Sequence, residues 1–172
     1  MSRRTNRGTI FLTDESKYDS LRCKGDVKAE GRISASSINI KGSLTALDVK
    51  ILTGSDGRAG NITGGNIFIR CGIDPAMNEE FVNIATGILK LFHVDTSEIR
   101  KVAENEASGE KEAPVFTCEE ISGDDITLYG VTCRSVSGRN ITLRENCRAD
   151  RVTYTGKFEA EDSCVVGKSE RA

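Results

Sequence analysis

Tryptophan is absent, and only 5 % of the 172 residues are aromatic. A core made without large aromatic side chains has to be assembled from small and branched ones. There is a single histidine, His93. That nearly excludes His-rich metal sites and leaves one candidate for any histidine-based triad. No C-x-x-C pair occurs among the six cysteines, so the spacing of a zinc knuckle or a thioredoxin-type site is missing. No window approaches the ~18 consecutive apolar residues of a membrane span. The basic stretch 1–13 lacks the long apolar run and small-residue cleavage site of a secretory signal, and the expectation is a cytoplasmic protein with reduced thiols. Charge excess is missing too: Lys+Arg number 24 and Asp+Glu 26, a net of −2. Such a balance gives no global electrostatic reason to hold nucleic acid, which is not expected as a partner.

What the chain does have is repetition. Residues 121–130 read ISGDDITLYG and residues 136–145 read VSGRNITLRE. Ile121 falls over Val136, Gly123 over Gly138, Ile126 over Ile141 and Leu128 over Leu143. A degenerate third copy puts Phe158 in the Ile126 place. Cys118, Cys133, Cys147 and Cys164 follow one another at about one per unit, which predicts a column of buried thiols acting as small core hydrophobes. The N-terminal third has the same texture, with Val27, Ile33, Ile38, Leu44 and Val49 recurring among glycines. Short apolar-x-apolar pairs such as Ile38-Asn39-Ile40 and Ile67-Phe68-Ile69 are strands with one buried face. Three such faces closing a coil, with like residues stacked on like, make a parallel β-helix. An antiparallel sandwich also uses short strands, but it has no need for self-similar ones.

The middle departs from this texture. In DPAMNEEFVNIATGILKLF, residues 74–92, Met77, Phe81, Ile84, Ala85, Ile88 and Leu91 form a helical apolar stripe. Asp74 suits the N-cap and Pro75 the first helical position. Residues 103–114 are a polar, acidic linker. The predicted organisation is therefore a basic N-terminal tail at 1–14 and β-helix coils at 15–72. A helical and acidic insertion at 73–114, coils again at 115–167 and a C-terminal tail at 168–172 complete it.

The run from Phe116 to Gly167 resembles the bactofilins, polymer-forming bacterial cytoskeletal proteins, and the form in Bacillus and its relatives most of all. The stretch LRCKGDVKAEGRISASSINIKGSLTA, Leu21 to Ala46, is similar to the same family. The resemblance covers somewhat over half the chain. It rests on ISGDDITL followed by VSGRNITL and then Cys147. It implies a right-handed β-helix that assembles end to end into filaments without nucleotide, as a cytoplasmic scaffold, often near the membrane, for cell shape, wall synthesis or motility. Cell-wall or morphogenesis proteins are then the implied partners beside the chain itself. The chain departs from many members in carrying the 73–114 insertion and in having no apolar N-terminal peptide beyond Ile10-Phe11-Leu12.

Candidate sites follow from these readings. A β-helix ends in coils whose backbone groups have no next coil to pair with. The last coil offers Val152, Tyr154, Phe158 and Val166 to a polymer contact, and the first offers Leu21 and Val27. The helix face Met77, Phe81, Ile84, Ile88 and Leu91 is a candidate partner-binding surface. Ile10, Phe11 and Leu12, preceded by Arg3, Arg4 and Arg7, are the candidates for membrane contact, although three basic charges contribute only ~3 kcal/mol. Arg134, Arg139, Arg144, Arg148 and Arg151 suggest a basic strip that neighbouring acids nearly cancel. Asp124-Asp125 reads as corner chemistry rather than a cation site. No catalytic, cofactor-binding or metal residues are assigned. The competing classes are a β-helix enzyme, acyltransferase or carbohydrate-active, and a binding module using the 74–92 helix. A strict six-residue period and a catalytic His in the repeat would mark the acyltransferase, and clustered acids with aromatic sugar platforms the carbohydrate enzyme. Neither pattern is present.

Overall fold

A computed structural model describes residues 3–13, 15–72 and 114–172. These residues form parallel strands stacked as a β-solenoid of about seven turns. The first three coils are each made of three short strands. They are β1 Arg3–Asn6, β2 Ile10–Leu12 and β3 Ser16–Tyr18; β4 Ser20–Cys23, β5 Val27–Ala29 and β6 Arg32–Ala35; β7 Ile38–Ile40, β8 Ser43–Thr45 and β9 Asp48–Thr53. In the next three coils one strand bends round all three faces: β10 Gly57–Cys71, β11 Phe116–Tyr129 and β12 Val131–Arg144. β13 Arg148–Tyr154, β14 Phe158–Ala160 and β15 Val165–Arg171 complete the stack. The first face runs in the order β1-β4-β7-β10-β11-β12-β13-β15.

Every pairing among these strands is parallel, and the repeat sets the register. Ile126 pairs with Ile141, Leu128 with Leu143 and Ile121 with Val136. An alternating residue points inward at each second position, and the inward columns are fully buried: Ile62, Ile121, Val136 and Val152 in one, Ile67, Ile126 and Ile141 in another. The solenoid continues without a break in register across the insertion, because β10 pairs with β11 from Gly57↔Phe116 to Arg70↔Tyr129. The predicted helix at 74–92 and its face lie outside the described residues, as does His93.

The glycines of the two visible repeats mark close approach. A Cβ on Gly123 would lie 2.5 Å from the Gly64 carbonyl oxygen, and one on Gly138 2.7 Å from that of Gly123. A tight corner follows the third face, where Gly130 has φ +63°. One coil later that corner contains Glu145 and Asn146, with φ of 52° and 61°.

Several expected boundaries are corrected. The tail expected at 1–14 instead contains β1 and β2, strands of the first coil that pair with β4 and β5. Nor is 168–172 a tail, because β15 runs to Arg171 and pairs with β13. The single cysteine column is also corrected. Cys118 and Cys133 are Cα partners, but the next residue in their column is Ala149. The corner at Glu145–Asn146 holds an extra residue, so Cys147 moves into the column of Val131, whose amide nitrogen lies 3.5 Å from its sulfur.

Candidate self-assembly interface

The two ends of the solenoid are built from different side chains. At the C-terminal end, β15 pairs with β13 and β14 with β12. The far edges of β14 and β15 have no strand partner among the described residues. Phe158 stacks on Ile141, so an isoleucine column ends in a phenylalanine. Tyr154 stacks on Gly138, and Arg171 stacks on Tyr154 in turn. The two rings pack with centroids 5.4 Å apart. Both are half-buried, as are Cys164 and Val166, whereas Ile141 beneath Phe158 and Ala149 beneath Val166 are buried.

Polar contacts hold this last coil on the stack. Arg144 donates from Nη1 to Glu161 Oε1 at 3.0 Å, and the Glu145 amide donates to Glu161 Oε2 at 3.0 Å. The Lys157 amide donates to Asn140 Oδ1 at 3.2 Å. The amide of Glu145, more than any other group, holds the Glu161 carboxyl below the usual carboxylate range. Hydrogen bonds from Lys157 and Lys168 do the same for Glu159 and Glu170. The Lys157–Glu159 and Lys168–Glu170 pairs flank the open edges. Charged side chains on an edge discourage indiscriminate strand pairing and leave selective contact to the apolar centre.

At the N-terminal end the inward positions of the first coil are Arg4 over Leu21, Asn6 over Cys23, Ile10 over Val27 and Tyr18 over Ala35. Arg4 donates from Nη1 to the Tyr18 hydroxyl at 3.5 Å. This end therefore presents polar groups above a closed core, while β1 and β2 have no second strand partner among the described residues.

Of the six expected interface residues, Phe158 and Val166 sit on the terminal strands, and Tyr154 packs against Phe158 from beneath Arg171 of β15. The other three do not reach an end. Leu21 and Val27 belong to the second coil and are fully buried beneath β1 and β2, and Val152 is fully buried beneath β15. Arg4 and Tyr18 escaped sequence reading. The signal was there in the even spacing of Ile10, Val27 and Leu44, which extends the coil pattern back to the start of the chain.

The remaining candidates resolve as follows. Ile10 and Leu12 face the core, and only Phe11, 72 % exposed, points outward, so the three do not form a wedge. The five arginines do not form a strip: Arg148 lies on the first face, Arg151 on the second and Arg144 on the third. Asp125 accepts a hydrogen bond from Asn140 Nδ2 at 2.6 Å, one coil on. Five of the six cysteines are buried. Burial pushes Cys118 and Cys133 up to about 12 and Cys71 and Cys147 up to about 11. Among the described residues no three His, Cys, Asp or Glu side chains converge as metal ligands, and no helix is long and apolar enough to cross a membrane. No protein-family model, curated protein or solved structure matches the chain.

Proposed function

We propose that the chain is a non-enzymatic, self-assembling scaffold that polymerises end to end through the terminal coils of its solenoid, without nucleotide. One observation carries this reading. Phe158, half-exposed and packed against Tyr154, ends a column that is otherwise buried, beside strand edges on β14 and β15 that have no partner among the described residues. A second molecule supplies the missing strand and covers the rings in one contact. Contact of like end with like end makes each interface isologous, and two such interfaces per molecule give an open filament. The resemblance of Leu21–Ala46 and Phe116–Gly167 to the bactofilins supports the same reading, with a cytoplasmic location and cell-wall or morphogenesis proteins as further partners.

The test is to sediment wild type and Phe158→Arg side by side at matched concentration, with negative-stain microscopy of both. The variant places an unpaired charge in the contact and should give short, soluble species with intact sheet by circular dichroism. Equal pelleting would remove the C-terminal coil from the contact. Absence of pelleting and of filaments in the wild type would overturn the scaffold reading.

A further inference from the structure

The chain is nearly neutral, but its fold segregates charge. On the outer side of the first face, Thr5, Arg22, Asn39 and Arg58 stack as successive Cα partners on β1, β4, β7 and β10. Arg3 stacks beside them on Ser20. Arg7 follows β1, Lys24 follows β4 and Lys41 follows β7, at the same step of three successive coils. The backbone ladder holds that step in line: the Lys24 amide donates to the Asn6 carbonyl at 3.1 Å and the Lys41 amide to the Cys23 carbonyl at 3.0 Å. Six cations, Arg3, Arg7, Arg22, Lys24, Lys41 and Arg58, thus share the first face of the first four coils. All are exposed, and none is in an ion pair among the described residues.

What lies between the cations is as informative as the cations. Thr5, Ser20, Ser37 and Asn39 fill the intervening outward places, so the array holds no apolar side chain. Arg3 and Arg22 share a shallow groove with the hydroxyl residues Thr5, Ser20 and Ser37, and one acid, Asp19, also lines it. Two other nearby acids turn to backbone. Asp26 accepts from the Ser43 amide at 2.8 Å, and Asp56 from the Val115 amide at 2.9 Å. Beyond the fourth coil the face changes character, with Thr117, Thr132 and Arg148 in the central ladder and Glu119, Arg134 and Asp150 after it in sequence.

We propose that this face of the first four coils binds the sugar–phosphate backbone of double-stranded DNA without regard to sequence. The whole-chain charge balance that argues against nucleic acid does not describe this face. Arg and Lys interleaved with Ser, Thr and Asn are the side chains that contact phosphate oxygens, and such contacts carry no base information. A protein partner would need aromatic or aliphatic anchors at the centre of the contact, and the array has none. Single strands are held by aromatic platforms on which bases stack, and these are missing as well, so the fit is to a duplex with its bases hidden. Coils at the strand spacing of about 4.8 Å and residues rising about 3.3 Å make the array roughly 14 Å by 13 Å. A duplex carries one charge per ~1.7 Å of axis, about eight over that span, and a flat face reaches about half of them. About four phosphates neutralised gives a log–log salt slope of about −4. The surface rests on the solenoid alone and is independent of the end-to-end contact.

The experiment is fluorescence anisotropy of a labelled DNA duplex of about two helical turns, titrated with the full chain over a salt series. The expected result is equal binding to GC-rich and AT-rich duplexes, weaker binding to the single strand, and affinity that falls about a hundred-fold between 50 and 200 mM salt. Arg22→Ala with Lys41→Ala should weaken binding more than ten-fold at the low salt and bring the slope from about −4 to about −2, because two phosphate contacts are gone. Arg139→Ala, on a later coil, should bind as wild type with the same slope. No binding at the low salt, or an affinity and slope that ignore the Arg22 and Lys41 substitutions, would overturn the proposal. So would equal displacement by poly-L-glutamate or by phosphatidylglycerol vesicles at matched charge, which would reassign the face to an acidic protein segment or a lipid surface. Unchanged circular dichroism and pelleting in each variant exclude misfolding and altered assembly as the cause.

Discussion

Gly57 and Phe116 are Cα partners in adjacent coils, and a Cβ on Gly57 would lie 2.7 Å from Cδ2 of the Phe116 ring. Phe116 is the largest fully buried side chain of the solenoid among the described residues, in an interior otherwise filled by Ile, Leu, Val, Cys and Ala with one buried threonine, Thr53. It fits because its neighbour has no side chain. The pair also sits where the chain resumes its stack after the insertion, so a ring and a vacancy are matched across a gap in sequence.

Gly57→Ala should therefore cost about 1–3 kcal/mol of stability through overpacking. Phe116→Leu alone should cost a similar amount through lost burial. Together they should cost less than the sum, because the smaller side chain makes room for the methyl. Urea unfolding of both single variants and the double variant measures the coupling, and additive costs would mean that the two residues do not share space.

Ile141→Ala should cost about 2–5 kcal/mol, since Ile141 is sandwiched between Ile126 and Phe158 and cannot be reached by solvent. Ile141→Val should cost about 1 kcal/mol. Thermal or urea unfolding followed by circular dichroism reads both. A negligible effect of the alanine would contradict an inward, stacked position.

The corner after the third face makes opposite predictions at equivalent places. Gly130 and Asn146 both have positive φ, where a side chain costs roughly 1 kcal/mol and glycine nothing. Gly130→Ala should lower stability by about that amount or more. Asn146→Gly should raise it, because the Asn146 contact to Ser163 Oγ is made by the backbone amide and survives the change. The melting temperatures of the two variants should move in opposite directions.

The solenoid was legible in the sequence where the coils repeat at constant length. Ile121/Val136, Ile126/Ile141 and Leu128/Leu143 each sit 15 residues apart, and the same offset is their register in space. Reading failed where coil length changes. One residue added at Glu145–Asn146 makes the step there 16, so that Val152 rather than Arg151 pairs with Val136, and Cys147, only 14 residues after Cys133, falls outside the Cys118–Cys133 column. It failed again at the first coil, where β2 and β3 have three residues each and Arg3–Asn6 has no apolar alternation to betray a strand. The open C-terminal end was legible through Phe158, which breaks an isoleucine column. The basic face was not, because its cations come from separate coils that only the fold aligns.

The last prediction concerns the thiols. Cys71, Cys118, Cys133 and Cys147 are buried, and burial raises each above its usual range, to about 11 or 12. In the unfolded chain each ionises near pH ~8.5. Below that pH both states hold the proton, and the stability associated with these groups is fully present. As pH rises through about 8.5 the unfolded chain loses protons that the fold retains, so ionisation favours unfolding and stability falls until the folded thiols titrate. Stability in urea should therefore be flat from pH 7 to 8 and decline between about pH 9 and 11. Cys133→Ala should cost roughly 1–2 kcal/mol at pH 7 and make that decline shallower, because one of the groups that drives it is gone. In the Phe158→Arg variant, a thiol reagent at pH 7.5 should label Cys164 first, the one cysteine that is not buried. The other five should react only as the solenoid unfolds. An alkaline decline that is as steep in Cys133→Ala as in wild type, or rapid labelling of several thiols in the native protein, would show that the cysteines are not sealed in the core.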